Sequence, residues 1–427
     1  MRIVVIGAFA RSCGGAESYM SRVIPALRDA GHEVATLFEV DGPGDRSRVS
    51  SFGRAWCISE IGLAKALRDL RGWSPDIIYA NAVSDLELEH EILETAPAVH
   101  FAHGYAPTCI SGRKAHAFPS VRMCARPFGW QCLFHYFPRR CGGLSPMTMW
   151  RNYLESAEHL KVMQRYRHIL VASEAMRLEY LRNGFRADQV ETLLYPIPSE
   201  KPVSFPRKPG QVRSDAARCG LQNGAEATTL HPALSHLLFA GRMVAAKGGL
   251  ILLEALPDAV AKLGRPLHLT MAGDGPARSG WERQARVLSR KRPSISVEFT
   301  GWLGEEDLRE LFETCDLLVV PSVWPEPFGL VGTEAGSCSV PAAAFDVGGI
   351  SEWLQDGING FLASGDPPTA IGLAIAIAKC LIDPQRYHQL RQGARQLAMR
   401  FGLERHVRRL LEIFSSVLAE EPSRSTG

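Results

Sequence analysis

The chain has no run of 18 consecutive apolar residues in its 427 positions, which excludes a helical membrane span. Its start, Met-Arg-Ile-Val-Val-Ile-Gly-Ala-Phe-Ala, is too short an apolar stretch for a secretory signal and reads as a β-strand entering a glycine turn. None of the ten cysteines forms a Cys-x-x-Cys pair. Without a secretory signal, that cysteine usage fits a reducing cytoplasm better than a disulfide scaffold. Net charge is only +3, and no nucleic-acid-binding motif accompanies it, so a nucleic-acid partner is not expected. What remains is an ordinary soluble composition, 46% hydrophobic and 22% charged, long enough for two or three domains.

The small net charge hides an asymmetry. Between Pro107 and His168 stand ten Lys/Arg and two acids, a local excess of +8 that leaves the remainder near −5. Phe118, Phe128, Trp130, Phe134, Tyr136, Phe137 and Trp150 are interleaved with those cations. Arginines mixed with aromatics fit an anionic membrane surface or a lipid-diphosphate acceptor, which suggests a cytoplasmic protein peripheral at the inner face of the membrane. A solvated basic face over a small local core is the plainer alternative.

Short apolar runs alternate with amphipathic helices twice along the chain. Residues 1–195 carry strand candidates at Arg2–Gly7, Glu33–Phe38, Asp76–Ala80, Ala98–Ala102, His168–Ala172 and Val190–Tyr195, with a basic, cysteine-bearing insertion at about 107–150. Residues 196–232 hold six prolines and little periodicity, the pattern of a linker. The alternation restarts in 233–402, at Leu237–Gly241, Leu267–Ala272, Ser296–Thr300, Leu317–Val320 and Val340–Phe345. A last helix is expected within 403–420, and the polar tail 421–427 is expected to be disordered. The predicted class is α/β: two Rossmann-like, doubly wound parallel-sheet domains facing a central cleft.

Chemistry concentrates in the second half. Glu326 precedes Pro327, which pushes it out of the α region, while Glu334 falls in the second turn of the helix that follows. The two carboxylates are then on the order of 8–12 Å apart at 1.5 Å rise per residue. A retaining glycosidase needs about 5–5.5 Å. Two separate hydroxyl clamps fit better, with the free N–H groups of Gly329, Leu330 and Val331 between them. Arg242 and Lys247, five positions apart after a strand, can grip a diphosphate from two sides. Gly273-Asp274-Gly275-Pro276 is a turn that admits close ligand approach. Near the start, Gly14-Gly15 lacks the Gly-x-Gly-x-x-Gly spacing of a nicotinamide site but leaves room for a phosphate or sugar. His103 follows a strand at its carboxyl end.

Gly14-Gly15-Ala16-Glu17, Arg242 with Lys247, Gly273-Asp274-Gly275-Pro276, Glu326-Pro327-Phe328-Gly329-Leu330 through Glu334, and Asp346 to Glu352 occur in this order. As a set they resemble the retaining glycosyltransferases of family 4, with the GT-B fold. The resemblance implies a sugar donor linked to UDP or GDP, a sugar or lipid-linked acceptor, and no required metal or cofactor. It implies that Arg242 and Lys247 hold the diphosphate with the amides of Leu330 and Val331, and that Glu334 binds the ribose. Glu326 would meet the transferred sugar, with Phe328 and Gly329 shaping its pocket. Trp302 and Leu303 would lie near the base, and Gly275 would line the donor site. Gly15 and His103 would reach in from the first domain, and the last helix would pack back on it. Glu326, His103, Arg242 and Lys247 are the catalytic candidates. Two departures stand out: Leu194-Tyr195-Pro196-Ile197-Pro198 replaces the usual Asn-Gly, and Ser339 stands where a glycine is frequent. A nucleotide-sugar epimerase and a catalytically silent nucleotide-binding scaffold are the competing readings.

Cys109, Cys124, Cys132 and Cys141 are spaced by 14, 7 and 8 residues within the insertion. Such a set can form a structural zinc site, a disulfide or free thiols, and the spacing leaves all three open.

Overall fold

A computed structural model describes residues 1–10, 14–42, 53–119, 121–197 and 234–419. Contacts divide the chain into two compact units, Met1–Ser199 with Phe401–Gly427, and Glu200–Arg400. Most of the proline-rich segment and the polar tail read from sequence lie outside the described residues.

In the first unit β1 (Arg2–Phe9), β2 (Glu33–Val40), β3 (Ala55–Cys57), β4 (Ile77–Asn81) and β5 (Ala98–Ala102) are followed by a small antiparallel pair, β6 (Ala115–His116) and β7 (Arg122–Met123), then by β8 (His168–Val171) and β9 (Val190–Thr192). The seven-stranded sheet runs β3-β2-β1-β4-β5-β8-β9, and all its pairings are parallel. The second unit holds β10 (Ser235–Ala240), β11 (Leu267–Ala272), β12 (Ile295–Gly301), β13 (Leu317–Val320), β14 (Ala342–Phe345) and β15 (Gly360–Ala363). They are ordered β12-β11-β10-β13-β14-β15, again all parallel. Both sheets reverse their winding at the first strand, between β1 and β4 and between β10 and β13. That is the topological switch point of a doubly wound sheet.

The strands read as continuous apolar runs because parallel sheets are covered on both faces. Every residue of β4, β5, β13 and β14 is buried. The sequence reading missed β3 and β15, which are three and four residues long and carry too little pattern to register. It also ran β9 on to Tyr195, whereas pairing stops at Thr192 and Leu193–Ile197 is irregular.

The last helix, Leu403–Ala419, belongs to the first unit. It buries His406, Val407, Leu410, Ile413, Phe414 and Val417, a stripe at helical spacing. Phe414 meets Tyr79 of β4 edge-on at 5.3 Å, and Arg409 forks onto Glu191 at 2.7 and 2.8 Å. His406 donates from Nδ1 to the Leu194 carbonyl at 2.9 Å and accepts from the Tyr19 hydroxyl at 2.8 Å. No helix among the described residues is long and apolar enough to cross a membrane.

Candidate active site

The candidate donor residues gather at the carboxyl ends of the second sheet. Arg242 and Lys247 follow β10, Gly275 follows β11, Trp302 and Leu303 follow β12, and Glu326 follows β13. β10 and β13 are hydrogen-bonded neighbours, so their two loops emerge side by side. Gly248 (φ +70) lets them close: a Cβ there would stand 1.8 Å from the Pro321 carbonyl oxygen. The Val323 amide then donates to the Ala246 carbonyl at 2.9 Å, stitching one loop to the other.

Glu326 is 3% exposed. Its backbone is pinned from the other side, where Gly349 N donates to its carbonyl at 2.7 Å and Gly348 (φ +59) lies so close that a Cβ would meet that oxygen at 2.3 Å. Oε1 receives three donors: Lys247 Nζ at 2.6 Å, Trp324 Nε1 at 3.0 Å, and Ser322 Oγ. Lys247 Nζ also sits 5.6 Å from the centre of the Trp324 ring, a cation–π arrangement. Oε2 takes no hydrogen bond among the described residues and retains solvent access. A buried carboxylate with one oxygen saturated and the other open presents a single directed acceptor.

The sequence reading gave Lys247 and Glu326 separate partners; the structure joins them as an ion pair. Ser322 and Trp324 were not singled out, although both stand in the stretch leading to Glu326. Arg242 is exposed and unpaired among the described residues. The helix Leu330–Ser337 begins one residue later than expected, with Gly329 (φ +94) as its cap and not its first turn. The Leu330 and Val331 amides open the helix, and first-turn N–H groups have no intrahelical acceptor. Glu334 lies in the second turn, partly buried, and Phe328 is fully buried. The Gly275 amide is engaged by the Asp274 carboxylate at 2.6 Å, so it is not a free donor. Trp302 is 63% exposed beside partly buried Leu303.

In the first unit Gly15 is the exposed first residue of the helix Gly15–Asp29, capped by Gly14 without a side-chain hydrogen bond. His103 differs from its sequence reading as a catalytic group. Nδ1 meets the Tyr195 hydroxyl at 2.5 Å and Nε2 meets Asn81 Oδ1 at 3.0 Å. The Asn81 amide donates to Tyr79 O, which fixes Oδ1 toward the ring. His103 therefore donates from Nε2 and accepts at Nδ1, and neither nitrogen is left to act as a base. The ring stacks on Phe101 (4.9 Å) and Tyr195 (5.6 Å), and burial pulls its pKa down to about 3, with His100 adding to the effect. It is a neutral, clamped imidazole. Tyr195, the partner sequence reasoning missed, belongs to the segment that departs from the family pattern.

His103 lines a cavity of about 590 Å³ in the first unit, together with Ser84, Glu89, Ser111, Asn152, Glu155 and His159. Glu89 is 1% exposed, accepting from His159 Nδ1 at 3.0 Å and the Tyr166 hydroxyl at 3.1 Å. Burial disfavours charge on His159, but the Glu89 hydrogen bond and carboxylate outweigh it and raise the imidazole pKa. No Lys or Arg is among the described residues lining this cavity.

The insertion brings its four cysteines to one small cavity, with His116 and His135. No three His, Cys, Asp or Glu among the described residues are drawn up as a metal-holding group.

The family model for glycosyl transferases group 1 matches residues 232–397. The chain is 33% identical over 153 residues to the D-inositol 3-phosphate glycosyltransferase of Salinispora tropica, covering 35% of this chain and 31% of that one. It is 33% identical over 260 residues to that of Saccharomonospora viridis, covering 58% and 57%. The matches thus span less than two thirds of these relatives' length. Among solved structures, Anabaena HepE, crystallised with UDP and glucose, aligns over 97% of this chain and 100% of its own at 19% identity and a TM-score of 0.67. Sucrose-phosphate synthase of Thermosynechococcus elongatus aligns over 98% and 100% at 18% identity and a TM-score of 0.65. With two doubly wound parallel sheets the chain has the GT-B fold, and its second unit carries the match to glycosyl transferases group 1.

Proposed function

We propose that the chain transfers a sugar from a nucleoside-diphosphate sugar, UDP- or GDP-linked, to an acceptor hydroxyl, with retention of configuration and without a metal ion. The observation that carries this reading is the Lys247–Glu326 pair at the carboxyl ends of two adjacent central strands, with Glu326 Oε2 left open. As the glycosidic bond breaks, negative charge grows on the leaving diphosphate and positive charge on the sugar. Lys247, Arg242 and the amides of Leu330 and Val331 would stabilise the first; the open carboxylate oxygen of Glu326 would orient and stabilise the second. Cations and a helix N-terminus then do the work that a bound metal does in other transferases. Glu334 would hold the ribose hydroxyls, and Trp302 with Leu303 would border the base. HepE, crystallised with UDP and with UDP-glucose, supports a donor of this kind.

The acceptor would occupy the cavity beside His103. Its lining offers carboxylates, hydroxyls and an amide with no Lys or Arg among the described residues, which favours an uncharged polyhydroxylated group, free or lipid-linked. The relatives named for D-inositol 3-phosphate are named for an anionic acceptor, which this lining would not attract. A role in polysaccharide or glycolipid assembly follows, with the exposed aromatics and arginines of the insertion resting on an anionic membrane surface. The test is incubation with UDP-, GDP-, ADP- and TDP-sugars plus neutral and phosphorylated acceptors, following nucleoside diphosphate release and the anomeric configuration of the product. Acceptor-dependent release with an α-linked product from an α-linked donor supports the reading. Donor interconversion without acceptor, or an inverted product, overturns it.

A further inference from the structure

The insertion between β5 and the helix Pro146–Met163 has little to hold it together by packing. Its regular structure is the pair β6–β7, two residues each, and the six-residue helix Gln131–Tyr136. Phe118, Trp130, Phe134 and Phe137 are exposed on it instead of forming a core. Small loop-rich modules of this kind need a staple.

Four thiols converge where a staple would sit. Cys109, Cys124, Cys132 and Cys141 come from four separate stretches and line one cavity of about 30 Å³, with His116 and His135 at its wall. The Lys114 amide donates to Cys109 Sγ at 3.3 Å, and Cys141 Sγ stands 3.5 Å from His116 Nδ1. Lys114 takes a left-handed conformation (φ 51), and its carbonyl accepts from the Cys124 amide at 2.8 Å, so one tight turn presents two of the cysteines together. We propose that this cluster is a structural zinc site, with the four cysteine sulphurs as ligands, His116 in a hydrogen-bonding position to Cys141 and His135 at the cavity wall.

Three physical points favour zinc over other occupants. Soft sulphur ligands select zinc and exclude magnesium and calcium, which take oxygen. A closed four-sulphur set is the structural form of a zinc site, since a catalytic one keeps an open position. Four thiolates around a divalent cation leave two negative charges, and Arg126 lines the same cavity within a segment rich in arginine. The sulphurs as they stand are not gathered around one point, so binding requires the cysteines to move together. The metal would fix the fold of the insertion and hence the aromatic surface it displays. It takes no part in sugar transfer, so this inference stands or falls separately from the proposed reaction.

The test uses the full chain, purified without chelator and without an immobilised-metal step. Elemental analysis should give close to one zinc per chain, and the Cys124→Ser/Cys132→Ser variant should lose it. Since that variant can fail to fold, the wild type is also stripped with chelator and titrated with cobalt(II) chloride. Intense visible d–d bands with thiolate-to-cobalt charge transfer would identify a tetrahedral sulphur site. Less than about 0.2 zinc per chain overturns the proposal. So does a cobalt spectrum lacking thiolate charge transfer, or a non-reduced mass showing the four cysteines joined in disulfides.

Discussion

Lys247 Nζ lies 2.6 Å from Glu326 Oε1, although 79 positions separate the two residues in the chain. The switch between β10 and β13 brings their loops together, and Gly248 removes the side chain that would keep them apart. Pairing the cation with one carboxylate oxygen holds both groups in place before any substrate arrives, and such preorganisation is what electrostatic catalysis requires.

Removing one member of this pair should cost far more in rate than in fold. Lys247→Ala is expected to lower turnover by roughly 10²–10³, as is Arg242→Ala, the usual scale for one preorganised donor. Glu326 keeps Ser322 and Trp324 as donors in the lysine variant, so the protein should still fold. A Lys247→Ala/Glu326→Gln double-mutant cycle should give a coupling of about 0.5–3 kcal/mol in stability. Additive effects on thermal unfolding would mean that the two do not interact.

Glu326→Gln should depress the rate more than the affinity for a nucleoside diphosphate, because its open oxygen faces the sugar in the proposed complex. Calorimetric titration of UDP or GDP beside steady-state rates makes the comparison. Equal losses would place Glu326 in nucleotide binding.

Ser339 adopts φ +62, is fully buried, and its hydroxyl has no hydrogen-bond partner. The left-handed conformation costs a non-glycine residue about 1–2 kcal/mol, and an unsatisfied buried hydroxyl adds about 1–3. Glycine loses about 0.5–1 kcal/mol of that gain through its freer unfolded chain. Ser339→Gly should therefore stabilise by about 1–4 kcal/mol, read as a higher midpoint in urea. An unchanged or lower midpoint contradicts it. The family's frequent glycine at this position has a local reason in the backbone angle.

Stability should fall on mild acidification. Burial pulls His100, His236 and His406 down to about 4 and His103 to about 3. A histidine with a lowered folded pKa contributes its stability in full above the unfolded value near 6.5 and loses it as pH falls toward the folded value. For His406 that is about 2 kcal/mol lost by pH 5. The raised pKa of His159 works in the opposite direction, but it is one group against four. Urea unfolding at pH 7.5 and pH 5 should show the loss, with a shallower slope in His406→Gln. A flat profile would contradict the buried, neutral state of these rings.

Much of this fold is legible in the sequence. Runs such as Leu317–Val320 and Ala98–Ala102 announce buried parallel strands because both their faces are covered, and ten or more intervening residues leave room for crossover helices. Ala55–Cys57 and Gly360–Ala363 are short and only partly buried, so no continuous apolar run marks them in the sequence. At the site, the residue types were readable but their partners were not. Nothing local to His103 points to Asn81 or Tyr195, and only the sheet order brings Lys247 to Glu326.

The insertion displays Trp130 (63% exposed) and Phe134 (69%) among its arginines, and Met147 (84%) stands at the start of the helix that follows. Sedimentation with anionic liposomes should show binding that weakens with added salt and drops in Trp130→Ala/Phe134→Ala. Absence of binding at low salt removes the membrane role.

The most direct measurement is a thermal-shift panel of UDP, GDP, ADP and TDP on wild type and Lys247→Ala. A ligand at 100 times its dissociation constant stabilises by about 2.7 kcal/mol, or roughly 5–11 °C for domains of this size. We expect one nucleotide to shift the wild type and to lose most of that shift in the variant, which would identify the base and establish Lys247 as part of the diphosphate grip. A shift of equal size in both proteins, or none with any nucleotide, would contradict the donor site described for the second unit.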